Sequence, residues 1–182
     1  MLALAAERRF DTLLVWGREH WRADLLAQRL RGVLTDVRVQ VDPDREAVVR
    51  ASDVLITATA SRDALVHGRW LHPGQHITAV GADDGDKCEL DGDCFRRADL
   101  TVVDSRALNL QFGDVAQAIA RGEMSRDDID AELGQLGGGE LAGRQHEEQI
   151  TIAKHVGIGV EDLVAAEVAL AKLQPTMEGE HQ

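Results

Sequence analysis

Tyrosine is absent from the 182-residue chain, and only three Trp and three Phe occur. The core must therefore be built from Val, Leu, Ile and Ala rather than from rings. Basic residues are also short: 20 Lys+Arg stand against 32 Asp+Glu, a formal net charge of −12. That balance offers no basic face for nucleic acid and none for an anionic membrane. No apolar run approaches the ~20 residues of a membrane span. The apolar opening, Met1 to Ala6, is cut by Glu7-Arg8-Arg9, too early for a secretory leader. The expectation is a cytoplasmic protein without nucleic-acid or membrane partners. Only two cysteines occur, Cys88 and Cys94. With no second pair they do not read as a zinc site, and in the cytoplasm they should be reduced. His20, His67, His72, His76, His146, His155 and His181 show no metal-ligand spacing, so no metal is expected.

What is present is a rhythm of short apolar runs. Thr12 to Trp16, Val54 to Thr59, His76 to Val80, Leu100 to Val103 and Ile150 to Ala153 read as buried strands, and Val37 to Val41 alternates as a strand should. Helices are expected over 19–31 with Trp21, Leu25, Leu26 and Leu30 on one face, after Pro43 at a first helical position, over 89–97, over 113–121, and over 160–173. Met1 to Phe10 reads as the tail of a helix with no start signal before it. The polar stretch 122–148 reads as loop and short helix. Its Gly137-Gly138-Gly139 lacks the preceding strand and following helix that a phosphate loop needs. Alternating strands and helices imply βαβ units: an α/β fold with a parallel sheet and helices on both faces.

In such a sheet, ligands bind beyond the carboxyl ends of the strands. That rule selects four loops: Gly17-Arg18, Thr57 to Arg62, Gly81 to Lys87, and Lys154 to Gly157. If the ligand is a dinucleotide, an acidic residue at the first would favour NAD and an arginine NADP. Arg18 stands there, although by itself it is one arginine among seventeen. Thr57-Ala58-Thr59-Ala60-Ser61 offers small residues and hydroxyls; taken alone it is as readily a capped turn. Gly81 to Lys87 is the richest loop, with Asp83, Asp84, Asp86 and Lys87. A carboxylate there could act as a general base or stabilise an iminium cation. The spacing of its acidic residues falls short of a calcium loop. Only three lysines occur, and Lys87 and Lys154 both fall in these loops.

The residues of these loops carry a further pattern. Ala51 to Thr59, Trp70 to Asp83 followed by Lys87-Cys88-Glu89-Leu90, Ala98 to Ser105, and Ile150 through Val156-Gly157 to Leu163 resemble the ornithine cyclodeaminase / mu-crystallin family, in order and with similar spacing. The resemblance implies an NAD(P)-binding Rossmann domain inserted into a substrate-binding and dimerisation domain. It implies hydride transfer between an amine carbon of an amino or imino acid and a nicotinamide, through an imine. It places Asp83 as the catalytic carboxylate with Lys87 in the same loop. Cofactor contacts would come from Gly17, Arg18, Thr57, Ala58, Thr59, Ser61, Val80, Gly81, Ala82, Val156 and Gly157. The cofactor would be NAD or NADP, with Arg18 favouring NADP.

Against the same pattern, the first Rossmann strand and its Gly-x-Gly-x-x-Ala/Gly phosphate loop would precede Met1. So would the domain that grips the substrate carboxylate and builds the family's homodimer. Gly85-Asp86 stands where Pro-Gly is usual, and His155 where serine is common. The expectation is thus an incomplete NAD(P)-binding domain over 1–159, a helix over 160–174 returning toward the missing domain, and a disordered tail over 175–182. Such a chain would be inactive alone and prone to associate through exposed apolar surface. A non-catalytic NADP- or small-ligand-binding role of the mu-crystallin type is the alternative.

Overall fold

The computed structural model describes residues 2–173. In chain order the elements are α1 (Leu2–Glu7), β1 (Thr12–Val15), α2 (His20–Arg31), β2 (Arg38–Val41), α3 (Arg45–Ala51), β3 (Val54–Thr57), β4 (His76–Ala79), α4 (Gly92–Arg97), β5 (Leu100–Val103), α5 (Arg106–Asn109), α6 (Gly113–Ala120), β6 (Ala131–Glu132), α7 (Leu133–Gly137), β7 (Thr151–Lys154) and α8 (Gly159–Leu173). The expected tail over 175–182 lies outside the described residues.

Every strand pair is parallel, as strands joined through helical crossovers should be. The strands form two separate sheets: β1–β2, and a five-stranded sheet in the order β3-β4-β7-β5-β6. Two apolar clusters match them. Val15, Ala23, Ala27, Leu30, Leu34 and Val39 tie α2 to the small sheet. Ile77, Ala79, Val103 and Ile152 pack with Val49, Cys94, Phe95 and Val115 from α3, α4 and α6. Among the described residues no strand lies between β1 and β3. A cavity of about 290 Å³ occupies that place, lined by Leu13 to Trp16 on one side and Val54 to Thr59 on the other. On β3, Val54 and Ile56 are exposed while Leu55 and Thr57 are buried.

Several local readings shift. Pro43 does not open α3; Asp44 caps it instead, accepting from the Ala47 N–H. A carboxylate satisfies an orphan donor that proline's ring cannot. The helix expected from residue 89 begins at Gly92, because Asp91 caps it and Glu89 is needed elsewhere. Stretch 122–148 holds α7 and also β6, a two-residue edge strand pairing Ala131 with Val102. α2 buries Ala23, Ala27 and Leu30, while Trp21, Leu25 and Leu26 stay out in solvent. Small side chains let the helix sit close on its sheet, which decides the buried face over apolar size.

Candidate functional site

The loop after β1 meets the loop after β3, and the loops after β3, β4 and β7 share one edge of their sheet because those strands are parallel. Between the first two lies a cleft of about 520 Å³. Gly17, Arg18, Glu19 and Arg22 line one wall, and Ala58, Thr59, Ala60 and Ser61 the other. Arg18 reaches across, its Nη2 lying 3.4 Å from Ser61 Oγ. At the N-terminus of α2, Glu19 makes no side-chain bond to the first turn, so the helix end is left without an acidic cap. Two guanidiniums and an uncapped helix end make this wall suited to an anion.

The hydroxyls on the β3 side divide. Thr57 Oγ1 is buried and donates to the Glu89 carboxylate at 2.7 Å. Ser61 is buried too, its Oγ donating to the Asp63 carbonyl. Ala58 and Thr59 remain as accessible lining. Glu89 also accepts from the backbone N–H groups of Thr59 and Gly81, so it bolts the end of β3 to the end of β4. A Cβ at Gly81 would lie 2.2 Å from Thr59 N, and only glycine allows that approach.

Asp83 stands at the tip of the next loop, exposed, with its Oδ1 paired to Lys87 Nζ. The Lys87 hydrogen bond holds the Asp83 carboxyl below its ordinary range, and the same bond raises the Lys87 ammonium. Asp84 is lowered chiefly by accepting from the Asp86 and Lys87 backbone N–H groups. The loop tip is thus fully charged at neutral pH. Asp83 and Lys87 do not line the 520 Å³ cleft; Gly81, pressed on Thr59, is the joint between the two. Val80 is exposed beside that joint and Ala82 is buried beneath it.

Val156 and Gly157 are held by a residue that the sequence singled out only within its wider pattern. Asp104, buried at the end of β5, accepts from their backbone N–H groups at 2.9 and 2.7 Å. Its other oxygen accepts from Ser105 N and Asn109 Nδ2. Glu89, Asp104, Asp114 and Lys154 are all buried supports of the site loops. For Asp104 and Lys154 the signal available was a charged residue ending an apolar strand; for Glu89 and Asp114 there was none. Among the described residues, no group of three or more His, Cys, Asp or Glu is placed to hold a metal ion. No helix among them is long and apolar enough to cross a membrane.

The residues fit a nicotinamide dinucleotide in part. The cleft, with Arg18 and Arg22 beside a single carboxylate, Glu19, has room and positive charge for part of such a group. A glycine-rich helix N-terminus for the pyrophosphate is not among the described residues next to the cleft.

Comparison with known proteins shows the family and the fold. The chain is 35% identical over 177 residues to an uncharacterized cyclodeaminase of Sinorhizobium fredii, covering 97% of this chain and 53% of that protein. It is 39% identical over 159 residues to the ketimine reductase mu-crystallin of Mus musculus, covering 87% and 46%. Among solved structures, the Δ1-pyrroline-2-carboxylate reductase of Thermococcus litoralis, in complex with NADH and L-proline, superposes with a TM-score of 0.88 at 29% identity, over 94% of this chain and 53% of that one. An archaeal alanine dehydrogenase dimer with bound NAD gives 0.86 at 28%, over 96% and 54%. The chain spans about half the length of these relatives, their C-terminal half. The model of the ornithine cyclodeaminase/mu-crystallin family matches residues 1–175, and the chain belongs to that family.

Proposed function

We propose that this chain is the C-terminal part of an NAD(P)-dependent oxidoreductase acting on amino or imino acids, and that it does not turn over substrate by itself. The observation that carries the reading is the split sheet. The strand ends that would present a nicotinamide dinucleotide are in place, but the β1 and β3 edges face an apolar slot instead of a neighbour. An extended segment from the preceding half of such an enzyme would complete the sheet there. The exposed apolar side chains of α8, Val160, Leu163, Val164, Val168 and Leu170, would cover surface of the same half. Residues 1–159 would then be the cofactor domain and 160–174 the returning helix, in a cytoplasmic homodimer.

A bound nicotinamide would supply the hydride donor or acceptor. The chain's own residues would do the rest. Asp83, held ionised by Lys87, would serve as an anion beside a developing iminium or as an acceptor for a water or amine N–H. Lys87 keeps that carboxylate deprotonated and oriented. Val80 to Ala82 and Val156-Gly157 would line the nicotinamide end. Gly17, Ala58, Thr59 and Ser61 would line the adenosine end, with Thr57 holding the strand end from below through Glu89. Arg18 and Arg22, at the uncapped α2 terminus, favour a 2′-phosphate and hence NADP over NAD.

NADPH fluorescence titration tests the reading. The chain alone should show no saturation in the micromolar range, because no glycine-rich helix N-terminus adjoins the cleft among the described residues. With a polypeptide supplying the preceding half, binding and imine reduction should appear, and Asp83→Asn should abolish reduction while binding persists. Micromolar binding by the chain alone, or reduction that survives Asp83→Asn, would refute it.

A further inference from the structure

Lys154 ends β7, an otherwise largely apolar strand, and is fully buried. Its ammonium donates to the Ala82 carbonyl at 2.7 Å and to the His155 carbonyl. Asp114, in the first turn of α6, lies 3.6 Å from it and is equally buried. Asp114 Oδ1 accepts from the backbone N–H groups of Glu89 at 2.6 Å and Leu90 at 2.9 Å. One end of the Asp83 loop therefore hangs on the cation and the other end on the anion. The backbones are in close contact as well: a Cβ at Gly113, which has φ 71°, would lie 2.3 Å from the Ala82 oxygen, and Gly113 N donates to the Asp84 carbonyl.

A buried ion pair is an expensive way to hold a fold, since an apolar pair of equal size serves as well or better. Burial pushes the Asp114 carboxyl up and the Lys154 ammonium down, and their attraction opposes both shifts. Among the described residues Asp114 Oδ2 has no hydrogen-bond partner, so the Lys154 charge is its compensation. What the pair gains that an apolar pair could not is its grip on three backbone groups of one loop: Ala82 O, Glu89 N and Leu90 N. That loop carries Asp83, one residue beyond Ala82.

We propose that Lys154 and Asp114 are positioning residues that clasp the Asp83 loop at both ends and so fix where the Asp83 carboxylate stands. The role for chemistry rests on the reading of Asp83 as the reacting carboxylate; the clasp itself does not.

The test uses the chain as it is, by NMR. In the unsubstituted protein, the amides of Gly81, Glu89 and Leu90 should exchange through one common opening, and independent openings would overturn the clasp. In Lys154→Met, those amides should exchange about tenfold faster or more, while the amides of β1, β2 and α2 keep their rates. The carboxyl titration of Asp83 should at the same time move up toward the ordinary range, because its hydrogen bond with Lys87 is lost. A merely structural lysine would speed exchange everywhere and leave the Asp83 titration in place; that result overturns the proposal. If Lys154→Met does not fold, Lys154→Met/Asp114→Asn, which removes both buried charges together, is read by the same two criteria. Neither readout involves cofactor or turnover, so failure of the oxidoreductase reading would appear in the NADPH titration and leave these outcomes untouched.

Discussion

Asp104→Asn is the most informative single change in the loop after β7. Asp104 accepts four hydrogen bonds: from Ser105 N at 2.9 Å, Asn109 Nδ2 at 2.7 Å, Val156 N at 2.9 Å and Gly157 N at 2.7 Å. An asparagine fills the same volume but offers one accepting oxygen and one donating amide. If its oxygen faces Val156 and Gly157, its NH2 meets two donors on the other side. Asn109 can turn its amide over, because its Oδ1 has no partner. That exchange gives up the Asn109 Nδ2 bond to the Ser105 carbonyl and still leaves Ser105 N facing a donor. The reverse orientation strands the Val156 and Gly157 N–H groups instead. The donors are part-buried, and a hydrogen bond to a charged group contributes about 1.5–3 kcal/mol, so the loss is about 2–4 kcal/mol. With a urea slope of about 2 kcal/mol/M, the unfolding midpoint should fall by about 1–2 M. Amide exchange should single out Ser105, Val156 and Gly157. A midpoint shift under about 0.3 M with unchanged exchange at these three amides would refute the four-bond accounting.

Three further outcomes follow from other parts of the structure. Adenosine 2′,5′-bisphosphate should bind the chain at least about tenfold tighter than 5′-AMP, and Arg18→Glu or Arg22→Glu should erase the difference, since a charge-assisted phosphate bond is worth about 1.5–3 kcal/mol; equal calorimetric affinities would sink the NADP preference. The His76 imidazole titrates below its ordinary 6.5 because it is desolvated, with Arg144 and His155 adding positive charge nearby. Below that pH the unfolded chain takes up a proton that the folded chain refuses, so stability should fall as pH drops from about 7 toward 5, and urea midpoints of His76→Gln should fall less over that range. The open β1 and β3 edges should drive concentration-dependent association in sedimentation, weakened by Val54→Lys/Ile56→Lys on the exposed face of β3; a monomeric chain with one cooperative thermal transition would count against it.

The parts of this molecule that sequence made legible are those governed by local order. Val54 to Thr57 and His76 to Ala79 announce themselves because continuous β-branched and apolar runs bounded by turns have few other uses. The alignment of Gly81 to Lys87 beyond a strand end follows from parallel topology, so the candidate loop could be placed before any coordinates, while the choice of Asp83 within it came from the family resemblance. The face of α2 could not, because apolar periodicity favoured Trp21, Leu25 and Leu26, whereas close packing on β1 and β2 selected Ala23 and Ala27. β6 escaped for a related reason: two residues have no period, and only Val102 and Val103 across the ladder define them as a strand. The buried charges are the hardest case. Lys154 and Asp114 lie far apart in sequence, and only the apolar strand that Lys154 ends marks either one as dry. A charge buried at a strand end acquires meaning only from its partners, and those partners are brought together by the fold. The same logic separates Asp83 from its supports. Asp83 is recognisable because it stands in an exposed loop beyond a strand end, while Glu89, Asp104 and Lys154 hold the loops from beneath and are visible only once those loops have closed over them.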